Sequence, residues 1–171
     1  FPGIEHGDWA EFLGWFIAEG HVLNRSTGKD NLVGISQLHP EKTKYLHGFL
    51  QRLPWEFKYS GHTFQTWSQE LWNYLSQFGH AIDKFIPDSI FTAPSEIKAR
   101  LLNGLWMGDG SQRLYYTISR KLADQVSALL AHLGIASCIS VDSRRDDRHQ
   151  TDLFAVSARE RNLVNLHGKD G

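Results

Sequence analysis

The chain has almost no cysteine. Cys138 is the single one in 171 residues, which excludes an internal disulfide and a cysteine-built zinc site and fits a reducing compartment. Long apolar runs are also missing. None reaches the roughly 18 residues of a membrane span, and the opening "FPGIEHGDW" has no signal-peptide character. The expectation is an intracellular chain with no membrane partner. Net charge is scarce too, at −1, whereas a strong nucleic-acid binder is usually basic. The charge is unevenly spread. Residues 1–94 carry 7 Lys/Arg against 10 Asp/Glu, and residues 95–171 carry 11 against 9. A DNA-binding face on this chain has to concentrate its positive charge locally. The nine histidines show no zinc-ligand spacing, so no histidine metal site is assigned.

What is present is a duplicated motif. "FLGWFIAEG", Phe12 to Gly20, reads as an apolar helix ending in a carboxylate and a glycine. "LNGLWMGDG", Leu102 to Gly110, repeats it 90 residues on. The helix dipole disfavours an acid at a C-terminal end, so finding it twice needs a reason. Each motif also carries small residues four apart, Gly14 and Ala18 in the first and Gly104 and Gly108 in the second. Four residues return to the same face of a helix, and a stripe of small side chains lets two backbones approach closely. Packed on each other, the two helices bring Glu19 and Asp109 out at the same end. Bare, those carboxylates repel. Mg²⁺ reverses that, because it prefers oxygen ligands and takes one or two protein carboxylates with phosphate and water. Two such sites across a dyad suit in-line phosphodiester hydrolysis.

The rest of the chain repeats in register. The first motif helix starts at Asp8 as N-cap with Glu11 three residues on, and Gly20 stops it. "HVLNRSTG" and "NLVGISQ" read as strands, "HPEKTKYLHGFLQRLP" as a helix, "WEFKYSGHTFQTWS" as a hairpin, and "ELWNYLSQFGHAIDKF" as a helix with a break at Gly79. "IPDSIFTAP" reads as the linker. Then come "SEIKARLLNGLWMGDG", a helix capped by Ser95, the strand "RLYYTISR", the amphipathic helix "KLADQVSALLAHLG", the strands "IASCISVDS" and "TDLFAVSA" around "RRDDRHQ", and the helix "RERNLVNLHG". The "ISQ" at 35–37 and "ISR" at 118–120 are 83 apart, so the first hairpin of the second half is about seven residues shorter. The expected fold is α+β, with two αββαββα halves at 1–88 and 89–171 forming one compact unit.

"GWFIAEG" and "GLWMGDG" resemble the two copies of the LAGLIDADG, or dodecapeptide, motif of homing endonucleases. "KFIPDSIFTAPSEIKARLLNGLWMGDGS" and "TISRKLADQVSALLAHLGI" are especially similar to endonuclease domains carried inside inteins. The resemblance covers nearly the whole chain. It implies a monomer whose motif helices form the central interface at Gly14, Ala18, Gly104 and Gly108, and whose antiparallel sheets form a saddle in the DNA major groove. It implies that Glu19 and Asp109 bind Mg²⁺, with Mn²⁺ or Ca²⁺ as substitutes in binding, aided by the carbonyls of Ala18 and Gly108. Gln37 matches a water-ordering residue with Arg120 as its second-half counterpart. Lys84 matches a basic residue near the attacking water, with Lys169 as a weaker counterpart.

The implied partner is double-stranded DNA with a long, near-palindromic or asymmetric target. Candidate DNA contacts are Asn24, Arg25, Lys58, Tyr59, His62, Gln65, Arg113, Tyr115, Arg144, Arg145 and Arg148. Strand alternation puts about half of such residues on one face. The implied activity is site-specific double-strand cleavage serving intron or intein mobility. The competing reading is a decayed LAGLIDADG DNA-binding protein or an RNA maturase. The sequence starts with Phe1 and ends "GKDG", without the nucleophile and His-Asn end that splicing needs, so the expectation is either an endonuclease domain excised from an intein or a free-standing enzyme.

Overall fold

The computed structural model describes residues 1–24, 31–143 and 151–159. The chain runs α1 (His6–Glu19), β1 (Gly20–Asn24), β2 (Asn31–Ser36), α2 (Pro40–Leu50), β3 (Lys58–Ser60), β4 (Thr63–Trp67) and α3 (Gln69–Leu75). It continues through α4 (Asp88–Thr92), α5 (Ser95–Asp109), β5 (Gly110–Ser111), β6 (Leu114–Thr117), α6 (Arg120–His132), β7 (Ser137–Asp142) and β8 (Leu153–Ala158). The fold is α+β with two four-stranded antiparallel sheets, ordered β1-β2-β4-β3 and β5-β6-β8-β7. The second order is the first repeated, which establishes two pseudo-symmetric halves. The helix read from "RERNLVNLHG" lies outside the described residues, as does Lys169. No described helix is long and apolar enough to cross a membrane.

The two halves meet along α1 and α5, which make the most extensive contact between described elements. The small residues are the cause. A Cβ on Gly14 would overlap the carbonyl of Leu101 and stand 2.8 Å from Leu105 N and 3.0 Å from Gly104 Cα. One on Gly104 would overlap the carbonyl of Glu11 and stand 2.8 Å from Trp15 N. Ala18 Cβ already fills the space a Cβ on Gly108 would need. The walls at Gly14 and Gly104 are backbone and cannot yield as a flexible side chain would. Around the seam, Phe12, Leu13, Trp15, Phe16 and Ile17 of α1 and Leu101, Leu102 and Leu105 of α5 are buried in one core.

The seam is also polar at one point. Glu11 is fully buried. Its Oε1 accepts from Tyr45 Oη at 2.5 Å and from Asn103 Nδ2 at 3.2 Å, and its Oε2 lies 3.1 Å from Arg100 Nη2. Arg100 also reaches Asp8, which Arg52 joins at 3.0 Å. This network corrects the expected cap. Glu5 caps α1 by accepting from Asp8 N at 2.9 Å, because Asp8 and Glu11 are drawn to arginines from other elements. Ser95 is likewise the first residue of α5 rather than its cap; Pro94 precedes it.

Two further expectations shift. Residues 86–94 are not a plain linker, since they contain the one-turn α4. The break at Gly79 is real: α3 passes into a 3₁₀ turn at Ser76–Phe78, and Gly79 has φ 59°, a conformation that glycine adopts without steric cost. The short first hairpin of the second half also appears. β5 has two residues and turns through Gln112 and Arg113 into β6, whereas β1 has five.

Candidate active site at the paired helix ends

Glu19 and Asp109 are the last residues of α1 and α5. The helices end there because the chain turns extended at Gly20 and Gly110. A Cβ at Gly20 would run into Phe16, and one at Gly110 into Trp106. Each acid therefore sits over a helix terminus whose last carbonyls lack intrahelical donors.

Two lysines resolve the misplaced acids. Lys84 follows a 3₁₀ turn at Ala81–Asp83 and is buried. Its Nζ donates to Gly20 O at 2.8 Å and Phe16 O at 3.1 Å, and lies 4.4 Å from the centre of the Phe16 ring. Lys42, in the first turn of α2, crosses to the other half. Its Nζ donates to Gly108 O at 3.1 Å and Gly110 O at 3.3 Å. Cations at helix C-termini satisfy orphan carbonyls and oppose the negative end of the dipole. The acids are thus offset by ammonium groups brought from outside their own helices.

Lys84 is itself held from the second half. Its carbonyl accepts from the buried Ser119 Oγ at 2.8 Å. Gln125 of α6 bonds both backbone groups of Ile86, at 2.7 and 2.8 Å.

The electrostatics follow from this packing. Burial, reinforced by the charge of Glu19, pushes Asp109 up to about 7, against the opposing pull of Lys42 and Lys84. Burial raises Glu19 as well, with Lys42 opposing. Burial lowers Lys84 to about 8, partly offset by Asp109. It also lowers Lys42, against both acids.

Two clefts flank the acids and share Ala18, Ala81 and Lys84 on their walls. One, of about 330 Å³, includes Asp109, Tyr116 and Thr117. The other, of about 460 Å³, includes Glu19, His21 and Ser36. Each acid faces its own cleft.

The donors present suit a hard divalent cation. Among the described residues no group of three or more His, Cys, Asp or Glu gathers for a metal. Glu19 and Asp109 with nearby backbone carbonyls make a sparse, all-oxygen set, and Mg²⁺ completes such a set with water and phosphate.

The remaining sequence candidates divide. Gln37 is buried; its Oε1 accepts from His39 N at 2.9 Å and its Nε2 has no partner among the described residues. Arg120 is not brought to the acids. Its Nε pairs with the Asp124 carboxylate at 3.0 Å along an exposed face of α6, and its guanidinium lies over the Phe154 ring at 5.6 Å. Lys58 and Gln65 are cross-strand partners on the sheet face away from the core, and His62 is exposed at the β3–β4 turn. Tyr59 alternates to the opposite face and packs on Phe64 with ring centres 4.6 Å apart. Arg113 is exposed at the β5–β6 turn.

Tyr115 is a correction. It is fully buried and pairs with Gly110 and Val156 on the core face, so it has no access to DNA. Its neighbour Tyr116 takes the outer face and lines the Asp109 cleft. The side chain of Asn24, and Arg25, Arg144, Arg145 and Arg148, lie outside the described residues.

Sequence reasoning missed Lys42 and His21. His21 is half-buried in the Glu19 cleft, and burial and Lys84 lower its pKa. It follows the motif glycine directly, a position that was open to reading. Lys42 has no such local signal.

Residues 96–165 match the family model of the LAGLIDADG-like domain. A mesophilic variant of the homing endonuclease I-DmoI superposes with a TM-score of 0.67 at 17% identity, over 94% of this chain and 93% of that one. Complexes of I-DmoI with DNA and Ca, and with DNA and Mn, superpose at 0.67 and 0.66. The N-terminal LAGLIDADG domain of DUF199/WhiA reaches 0.61 at 13% identity, over 96% and 82%.

Two curated proteins also align. The ATP-dependent Clp protease proteolytic subunit of Chlamydomonas moewusii is 26% identical over 162 residues, 86% of this chain and 16% of that protein. The replicative DNA helicase DnaB of a Synechocystis species is 36% identical over 93 residues, 45% and 11% respectively. The chain thus spans a small share of either relative. It has the fold of these two-motif LAGLIDADG structures, and its residues 96–165 are similar to the LAGLIDADG-like domain.

Proposed function

We propose that this chain is a divalent-metal-dependent endonuclease that hydrolyses both strands of a specific double-stranded DNA site, acting as a single chain. The observation that carries the reading is the cluster at the helix ends. Glu19 and Asp109 are half-buried, one beside each cleft, with Lys42 and Lys84 among them. In this reading Glu19 and Asp109 hold Mg²⁺, with the carbonyls of Ala18 and Gly108 as further donors. Bound there, the metal supplies charge for the transferring phosphoryl oxygens and acidifies the attacking water. Lys84, fixed by Ser119 and two helix-end carbonyls, stabilises charge developing at the phosphate. Gln37 orients water with its unpartnered Nε2. The outer sheet faces, with Lys58, Gln65, His62 and Tyr116, read the major groove. Arg113 and the arginines of "RRDDRHQ" contact phosphates.

The relatives suggest how such an enzyme is carried. A protease subunit and a DNA helicase share this segment, and it is a minor part of each. A segment common to proteins named for unrelated activities behaves as an insert. That supports an intein-borne or otherwise mobile endonuclease.

Selection against a randomised DNA library in Mg²⁺ tests the reading. Cut molecules sharing one long site support it. Cutting without a shared site, or no cutting, contradicts it. The second reading, binding without cleavage, is favoured by the likeness to the WhiA domain across 96% of the chain. Gel shifts with DNA and with intron RNA, with and without Mg²⁺, separate it from a nuclease and from a maturase.

A further inference from the structure

The carbonyls ending the two motif helices are engaged differently. The 90-residue shift maps Phe16, Ala18 and Gly20 onto Trp106, Gly108 and Gly110. A lysine donates to the glycine after each acid, Gly20 or Gly110. The second acceptor differs. Lys84 reaches back one turn to Phe16 O, whereas Lys42 takes Gly108 O, the carbonyl directly before Asp109. The lysines are not repeat equivalents either. The 83-residue shift takes Lys42 to Gln125, which bonds the backbone of Ile86 instead. The duplication has therefore diverged into one half-site with an ammonium on the carbonyl directly before the acid.

We propose that Lys42 is a resident cation of the second half-site, and that its ammonium competes with a divalent ion for the Gly108 carbonyl. This rests on the endonuclease reading and deepens it. An ammonium 3.1 Å from that oxygen would be a close neighbour of any divalent ion bound to it. Two cations on one carbonyl would stand within a few ångströms, where like charges repel strongly. Lys42 also interacts with both Glu19 and Asp109, so its departure leaves both carboxylates with one positive neighbour fewer. The lysine stem is long and only partly buried, so the ammonium can swing aside without unfolding α2.

The test is Mn²⁺ binding to the chain without DNA, followed by electron paramagnetic resonance, with folding checked by circular dichroism. Lys42→Met is expected to bind Mn²⁺ about tenfold more tightly than the unsubstituted chain. Lys84→Met removes a cation that also interacts with Asp109 but leaves Gly108 O alone. It is expected to gain less than about threefold, and Lys84→Gln replaces it if that variant does not fold. Equal gains in both variants mean general charge and overturn the competition. Unchanged or absent Mn²⁺ binding in Lys42→Met also overturns it. DNA cleavage by the unsubstituted chain reads the nuclease assignment separately. A chain that cuts nothing, yet gains Mn²⁺ affinity through Lys42→Met, loses the nuclease and keeps the competition.

Discussion

Lys84 Nζ stands 2.8 Å from the carbonyl oxygen of Gly20, the residue that ends the first motif helix. The backbone of the same lysine is tied to Ser119 at the head of α6. A cation anchored in the second half thus caps a helix of the first, and Lys42 does the converse. The acids that the helix dipole disfavours are tolerated because two lysines of the first half supply countercharge, one anchored by the second half and one reaching across to it.

The closeness of α1 and α5 makes a sharp demand on Gly14. Gly14→Ala places a methyl against the backbone of Leu101, Leu105 and Gly104, and neither helix can move without breaking the seam. Urea denaturation is expected to show a loss of more than about 3 kcal/mol. A loss below about 1 kcal/mol would mean the helices are not packed as described.

Asp109 makes the metal-free chain less stable as pH rises. Its folded pKa is raised from an ordinary 3.8 to about 7, so the folded state binds its proton more tightly than the unfolded state. That contribution is present below pH 4 and is lost as pH rises through 7. Asp109→Asn is expected to raise stability at pH 8 by about 1–3 kcal/mol after allowance for partial exposure, and to change little at pH 4. Urea melts of both chains at the two pH values measure this. An equal effect at both would contradict the assigned shift.

Glu11 and Arg100 join the halves through an ion pair in which Glu11 is buried and Arg100 is partly exposed. In a double-mutant cycle of Glu11→Gln and Arg100→Met, the expected coupling is about 1–3 kcal/mol. Glu11→Gln alone is expected to cost about 1–2 kcal/mol, because it replaces the charged acceptor of Tyr45 and Asn103 while Arg100 keeps Asp8. A coupling near zero would remove this network from the interface.

The two adjacent tyrosines should behave oppositely. Tyr115 Oη is buried without a partner among the described residues, so Tyr115→Phe is expected to leave stability unchanged within about 1 kcal/mol, or to raise it. It should leave DNA binding untouched. Tyr116→Ala is expected to weaken binding to the selected target several-fold with little change in melting temperature. The reverse pattern would put Tyr115 on the outer face.

These tyrosines show where the sequence stopped being legible. The repeat of helix, glycine stripe, acid and glycine is local, so Glu19, Asp109, Gly14 and Gly104 were readable from spacing alone. Strand faces depend on the phase of a two-residue alternation, and one residue of slip exchanges them. In "RLYYT" that phase is set by the pairing of Tyr115 with Gly110 and Val156. Lys42 was hidden for a different reason. Its partners lie 66 and 68 residues away, and nothing in "HPEKTK" marks one lysine from another. Arg120 matched Gln37 by repeat position, yet Asp124 one turn later holds it on the helix surface. Asp8 and Glu11 had the spacing of a cap and were claimed by arginines from α2's end and α5.

The central claim is that Glu19 and Asp109 do the chemistry together. Its most direct test is cleavage of the selected target by Glu19→Gln and by Asp109→Asn in Mg²⁺, with binding measured in parallel by gel shift. The account predicts that both variants bind DNA as the unsubstituted chain does and that neither makes a double-strand break. Undiminished double-strand cutting by either variant would contradict it.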